Sequence, residues 1–109
     1  DLYIGIGGAP EGVLAAAALD CLGGQMQTRL FFNNQDEEVR AKKMGVKDIR
    51  KKLNIEDMIK GDVMFCATAI TDGNLLKGIS KNNDKIIANT LALHKNSKII
   101  KKVSNEFKI

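Results

Sequence analysis

The sequence predicts an α/β fold: a mixed, mostly parallel sheet flanked by helices and ending in an antiparallel hairpin. Three observations carry that expectation. Short apolar runs closed by glycine alternate with helical stretches along the chain. The first run, Leu2–Ile6, passes through a glycine turn directly into an alanine-rich helix. The last two apolar runs flank Lys95-Asn96-Ser97, a short polar turn that suits a hairpin.

Leu2 to Ile6 is apolar at successive rather than alternate positions, the pattern of a strand buried on both faces. Pro10 fits the first helical position, where a missing N–H costs nothing. The helix then runs through Leu22, with Ala15 to Ala18 allowing close packing and Gly23-Gly24 as its stop. Gln25 to Phe32 alternates as a strand, with Met26, Thr28, Leu30 and Phe32 on one face. Asn34 followed by Glu37 starts a second helix, which ends at Gly45 after Arg40, Lys42 and Lys43. Asn54 caps a short helix through Met58 and Ile59, closed by Gly61. Asp62 to Ile70 reads as a second buried strand, and Thr71-Asp72-Gly73 turns the chain before one helical turn over Asn74–Gly78. Lys85 to Leu93 and Lys98 to Val103 are the hairpin strands.

The 109 residues, 44% of them apolar, suffice for one domain and carry no repeat or low-complexity linker. The chain opens on Asp1 rather than Met, so the expectation is a single α/β domain that forms part of a longer chain. The longest apolar run, Val13 to Leu19, is seven residues, too short for a membrane span. Cys21 and Cys66 lie in apolar runs and read as buried, reduced thiols. The net charge of +4 is uneven: residues 1–36 carry −3 and residues 37–109 carry +7. Lysines scattered among few aromatics form a solvated face, so neither nucleic acid nor membrane is an expected partner.

The glycine turn admits three readings. A dinucleotide fingerprint needs G-x-G-x-x-G; Gly5 and Gly7 match its start, but Pro10 stands where the third glycine belongs. Asp36, after the second strand, is the candidate ribose-binding acid in that reading. A P-loop needs Lys and Ser or Thr after its last glycine, and Val13-Leu14 follow Gly12 instead. In the third reading Gly7 and Gly8 let an anion approach the positive end of the helix, with Glu11 in the same first turn. A carboxylate beside a bound phosphate requires a divalent cation between the two negative charges. The plainer account of Glu11 is that helix dipoles favour an acid in the first turn, worth up to ~1 kcal/mol. From the residues alone both accounts stand.

The string IGGAPEGVLAAAAL closely resembles the signature of class II fructose-1,6-bisphosphatases, within the lithium-sensitive, metal-dependent sugar phosphatases. The resemblance continues through Cys21-Leu22-Gly23-Gly24, Ala41-Lys42-Lys43-Met44-Gly45, Lys60-Gly61-Asp62-Val63 and Thr71-Asp72-Gly73-Asn74-Leu75-Leu76-Lys77-Gly78, and weakens after Gly78. It implies the C-terminal layered domain of the sugar phosphatase fold. It further implies that Glu11 ligates a catalytic Mn2+ (or Mg2+) and that Gly8 contacts the substrate through its backbone. The reaction implied is hydrolysis of the 1-phosphate of fructose 1,6-bisphosphate, a gluconeogenic step in the cytoplasm. The other ligands would lie upstream of Asp1, in an N-terminal domain of the same chain, so the fragment alone would be inactive. A homo-oligomer is expected. The alternative is a non-catalytic nucleotide- or phosphate-binding regulatory module using the same turn.

The remaining candidates have bland readings. Asp72 sits in a Thr-Asp-Gly sequence that is ordinary turn chemistry, although ligands also gather at strand ends. His94 reads as a lone exposed or half-buried histidine of the hairpin. Lys98, Lys101 and Lys102 suit an exposed sheet edge or face. Met26, Met44, Met58 and Met64 read as core filler.

Overall fold

A computed structural model describes all residues from Asp1 to Ile109. Helix α1 (Ala9–Leu22) begins after Gly8, carries Pro10 in its first turn, and ends where Gly23 adopts φ 73°. That left-handed cap returns the Gly24 N–H to the Leu19 carbonyl at 2.8 Å. After the two-residue strand β1 (Gln27–Thr28), α2 (Gln35–Lys43) starts as a reciprocal cap. Asn34 Oδ1 accepts from Glu37 N–H at 2.9 Å, and Glu37 Oε2 accepts from Asn33 N–H at 2.8 Å. Strand β2 (Leu53–Asn54) leads into α3 (Ile55–Met58), where Asp57 Oδ2 accepts from Asn54 N–H at 2.8 Å.

The main sheet contains β3 (Met64–Thr68), β4 (Ser80–Asn82), β5 (Lys85–His94) and β6 (Ile99–Lys108). The ten-residue β5 is its spine. One edge of β5 pairs with β3 over Thr90–His94 and with β4 over Lys85–Ile87, and the other edge pairs with β6 along its full length. β1 and β2 form a separate two-stranded ribbon.

The α/β class holds, with one correction to its detail. Every pairing in the structure is antiparallel, where a mostly parallel sheet was expected. The reason is connectivity. From β3 to β6 the chain has no helix to carry a parallel crossover, so successive strands fold back on one another. Leu2–Ile6, expected as a buried strand, is exposed, has no regular secondary structure, and has no strand of these 109 residues paired with it. Gln25–Phe32 shortens to the two residues of β1. Asn74–Gly78 forms bends rather than a helical turn, and the polar β4 was not anticipated.

The core is small and lies between α1 and the sheet. Cys21, Leu91 and Leu93 are buried together, with Ala18, Val63, Phe65 and Leu76 packed around them. α1 also packs against α3, and Ala16, Ala17, Ile49 and Ile55 are buried. Ala16 and Ala17, in the alanine run, are the buried residues of the middle of α1. Only eight of the 109 residues are buried, and the radius of gyration is 17.7 Å against ~13 Å for a compact chain of this size. β3 is covered on one face only. Phe65 and Ala67 face the helix side, while Met64, Cys66 and Thr68 are exposed, so the expectation of two buried cysteines fails for Cys66. Met44 and Met64 are likewise exposed rather than core filler. Both thiols are free.

Candidate active site

The glycine turn is shaped by backbone. Gly8 caps α1 in an extended conformation (φ −67°, ψ 152°), and its carbonyl accepts from Gly12 N–H at 3.0 Å to close the first helical turn. Pro10 has no N–H, so the Ala9 and Glu11 amides are the donors left free at the positive helix end. Glu11 is the third helical residue. Its carboxylate folds back over Gly8, so that a β-carbon on Gly8 would collide with Glu11 Oε2. That oxygen is the far end of a flexible side chain, and at Gly7 the space beside the backbone is open. Two free amides and one exposed carboxylate share this end of the helix.

Glu11 stands alone there. No group of three His, Cys, Asp or Glu residues is arranged to hold a metal ion. The other candidates are committed elsewhere. Asp36 lies in the first turn of α2, where the dipole favours an acid. Asp72 Oδ1 accepts from Gly78 N–H at 2.8 Å and braces the loop between β3 and β4, the turn role read from sequence. Asn89 Nδ2 donates to the Lys77 carbonyl at 3.2 Å and clamps the same loop.

At the far end of α1 lies a cluster that sequence reasoning missed. His94, the last residue of β5, bridges Asp62 and Ser97: Nε2 is 2.6 Å from Asp62 Oδ2, and Nδ1 is 2.6 Å from Ser97 Oγ. Asp62 Oδ1 also accepts from the Asn96 and Val63 amides at 3.1 and 3.0 Å. The signal was present in His94-Lys95-Asn96-Ser97, since a tight turn sets residues i and i+3 side by side. Beside it Lys95 Nζ stands 3.1 Å from the buried Oδ2 of Asp20, a pairing by charge rather than an aligned hydrogen bond. These contacts pin α1 and β3 to the hairpin.

Electrostatics follow from these contacts. Partial desolvation pulls the Asp62 carboxyl upward, but the bonds from His94, Asn96 and Val63 outweigh it and hold the group below its ordinary range. The Asn54 amide, then Lys51, does the same for Asp57. Burial, with Asp20 and Asp62 nearby, pushes the Cys21 thiol up despite Lys95. A carboxyl held low stabilises the fold when ionised. Its contribution is complete above the unfolded value near ~4 and is lost as pH falls through the lower folded value. Asp62→Asn is therefore expected to lower the melting temperature at pH 7 and to flatten its decline below about pH 4, read by thermal melts across pH. An unchanged acid limb would contradict the assignment of that limb to Asp62.

Residues 1–107 match the family described as bacterial fructose-1,6-bisphosphatase, glpX-encoded. A relative from Haemophilus influenzae named fructose-1,6-bisphosphatase class 2 is 40% identical over 119 residues, covering 96% of this chain and 35% of the relative. Fructose-1,6-bisphosphatase 1 class 2 of Escherichia coli is 36% identical over the same shares, as is the class 2 enzyme of Shigella flexneri. The chain thus spans about a third of the length of the curated relatives it matches. The glycine–proline–glutamate turn lies inside the matched region, and the match runs through the sheet to its last strand. By that extent of agreement, the chain belongs to the glpX-encoded bacterial fructose-1,6-bisphosphatase family.

Proposed function

We propose that residues 1–109 form one wall of the active site of a metal-dependent phosphatase that removes the 1-phosphate of fructose 1,6-bisphosphate, leaving fructose 6-phosphate. The observation that carries this reading is the Glu11 carboxylate folded over Gly8 at a helix N-terminus with free amides. The family membership supplies the reaction and the sugar bisphosphate.

The donors of the turn are too few to hold a divalent cation by themselves. Mg2+ and Mn2+ favour carboxylate oxygens and take about six ligands, and Glu11 offers one carboxylate. Glu11 therefore fits as one ligand of a shared site, the others coming from the longer chain. When bound, the ion would lower the proton affinity of a water and offset charge on the phosphoryl oxygens. The residues here have their own tasks. Gly8 lets the substrate approach the backbone, and the Ala9 and Glu11 amides donate to its anionic oxygens. The dipole of α1 adds fixed positive potential at the same place. No side chain of the turn is needed as a nucleophile, because water attacks phosphorus. The same reading sets the reaction in gluconeogenesis, in the cytoplasm, and in a homo-oligomer. No helix of the chain is long and apolar enough to cross a membrane.

The test is metal removal from the full-length chain. Chelation is expected to abolish phosphate release from fructose 1,6-bisphosphate, and added manganese to restore it. Release that persists in excess chelator would overturn the metal-dependent reading. Nucleotide binding without any hydrolysis would favour the regulatory module instead.

A further inference from the structure

The sheet face on which α1 packs turns polar partway along β5. Leu93 and Leu91 are buried on that face with Cys21 of α1, and Asn89 is next in the alternation. On β6 the register sets Lys102 opposite Leu91 and Ser104 opposite Asn89. The loop between β3 and β4 lies over this stretch: Leu76 packs on the core, and the Lys77 carbonyl accepts from Asn89 Nδ2 at 3.2 Å. A cavity of about 260 Å³ remains there, and its polar lining is Lys77, Asn89, Lys102 and Ser104. No acidic residue lines it, and neither does any residue of the glycine turn or of α1.

We propose that this cavity binds a phosphate group, free or carried on a short carbon body, at a site separate from the turn at Gly8. Lys51, Lys85 and Lys95 each have an acidic partner, but Lys77 and Lys102 have neither an ion pair nor a side-chain hydrogen bond. Two uncompensated ammonium groups at one cavity repel each other, and an anion between them removes that cost. Glu106, the following residue of β6 on this face, is taken by Lys85 at 3.2 Å. The remaining donors are neutral: the Ser104 hydroxyl and the second Nδ2 hydrogen of Asn89. Lysine presents three donors on a flexible stem, which suits a tetrahedral oxyanion. The loop is already fixed on both sides of Lys77, by Asn89 and by Asp72 Oδ1 on the Gly78 N–H at 2.8 Å. Binding therefore orders side chains rather than backbone. The volume lies below the ~300–1,000 Å³ of pockets for drug-sized ligands, so the ligand is small. The site does not depend on the catalytic reading, because it shares no residue with the turn at Gly8.

Equilibrium binding of radiolabelled inorganic phosphate to the full-length chain, in excess chelator, tests it. Saturable binding is expected, weakened about 10-fold by Lys102→Gln and again by Lys77→Gln. Lys101→Gln removes the same charge from the opposite face of β6 and is expected to change binding by less than about 2-fold. Glycerol 3-phosphate should displace the label. Displacement at lower concentration than unlabelled phosphate assigns a carbon body beside Leu75 and Leu76, and displacement at equal or higher concentration assigns free phosphate; either supports the site. Absent or unsaturable binding would overturn it, as would equal weakening by Lys101→Gln, the mark of general charge attraction. Binding lost in Glu11→Gln but kept in Lys102→Gln would place the anion at the Gly8 turn and overturn this site. A chain that binds phosphate as expected here, yet releases none from fructose 1,6-bisphosphate with manganese, would defeat the catalytic reading alone.

Discussion

Glu11→Gln in the full-length chain is expected to lower kcat for phosphate release by ~10²–10³-fold, the scale seen when one preorganised electrostatic partner is lost from an active site. The melting temperature should move by no more than about 3 °C. Glu11 is exposed and forms no hydrogen bond, so its stabilising role is confined to the helix dipole, at most ~1 kcal/mol. A large kinetic loss with little loss of stability separates a metal ligand from a helix-capping acid. The reverse pattern, a lower melting temperature with normal kcat, would return Glu11 to the dipole account. Gly8→Ala gives an independent reading of the same geometry. Its methyl group would occupy the place of Glu11 Oε2, and a flexible carboxylate can swing aside at little cost to stability. Its activity should fall while its melting temperature holds.

Gly78→Ala is expected to act in the opposite way, costing roughly 3 kcal/mol of stability. A β-carbon there would lie 2.5 Å from the Thr71 carbonyl carbon, 2.6 Å from the Ile70 oxygen and 2.7 Å from Thr71 Cα. All three are backbone atoms, so no side chain can give way. The same residue donates its N–H to Asp72 and closes the loop whose Leu76 packs on the core. The crowding would spread to the Ile79 N–H bond to Ile70, 3.0 Å long, which leads the chain into β4. Thermal melts of the full-length variant check this. A shift below about 1 °C would contradict it.

The sequence was most legible where structure is set locally. Pro10, Asn34 with Glu37, and Asn54 each place a helix start within a few residues, and all three helices begin there. The β5–β6 hairpin was legible for the same reason, although its strands run longer than the apolar pattern suggested. Pairing direction was not legible. Met64–Thr68 is apolar at every position but the last, and such a run is consistent with burial on both faces. Only the tertiary arrangement reveals that α1 covers Phe65 while Cys66 faces outward. Leu2–Ile6 shows the same limit, since its apolar character was readable but no strand pairs with it in the structure. At the candidate site, residue types located Gly8 and Glu11 on one turn, and the structure adds that the carboxylate leans over the glycine. The Asp62–His94–Ser97 bridge escaped notice because Asp62 reaches His94 only through the register of β3 on β5.

The central claim is that the turn at Gly8 and Glu11 holds a divalent cation against a phosphate. Manganese titration of the full-length chain, wild type and Glu11→Gln, followed by electron paramagnetic resonance with and without inorganic phosphate, addresses it most directly. The account expects the variant to bind manganese at least ~10-fold more weakly, or to bind one ion fewer, and phosphate to tighten binding in the wild type only. Equal manganese affinity and stoichiometry in the two proteins would contradict it.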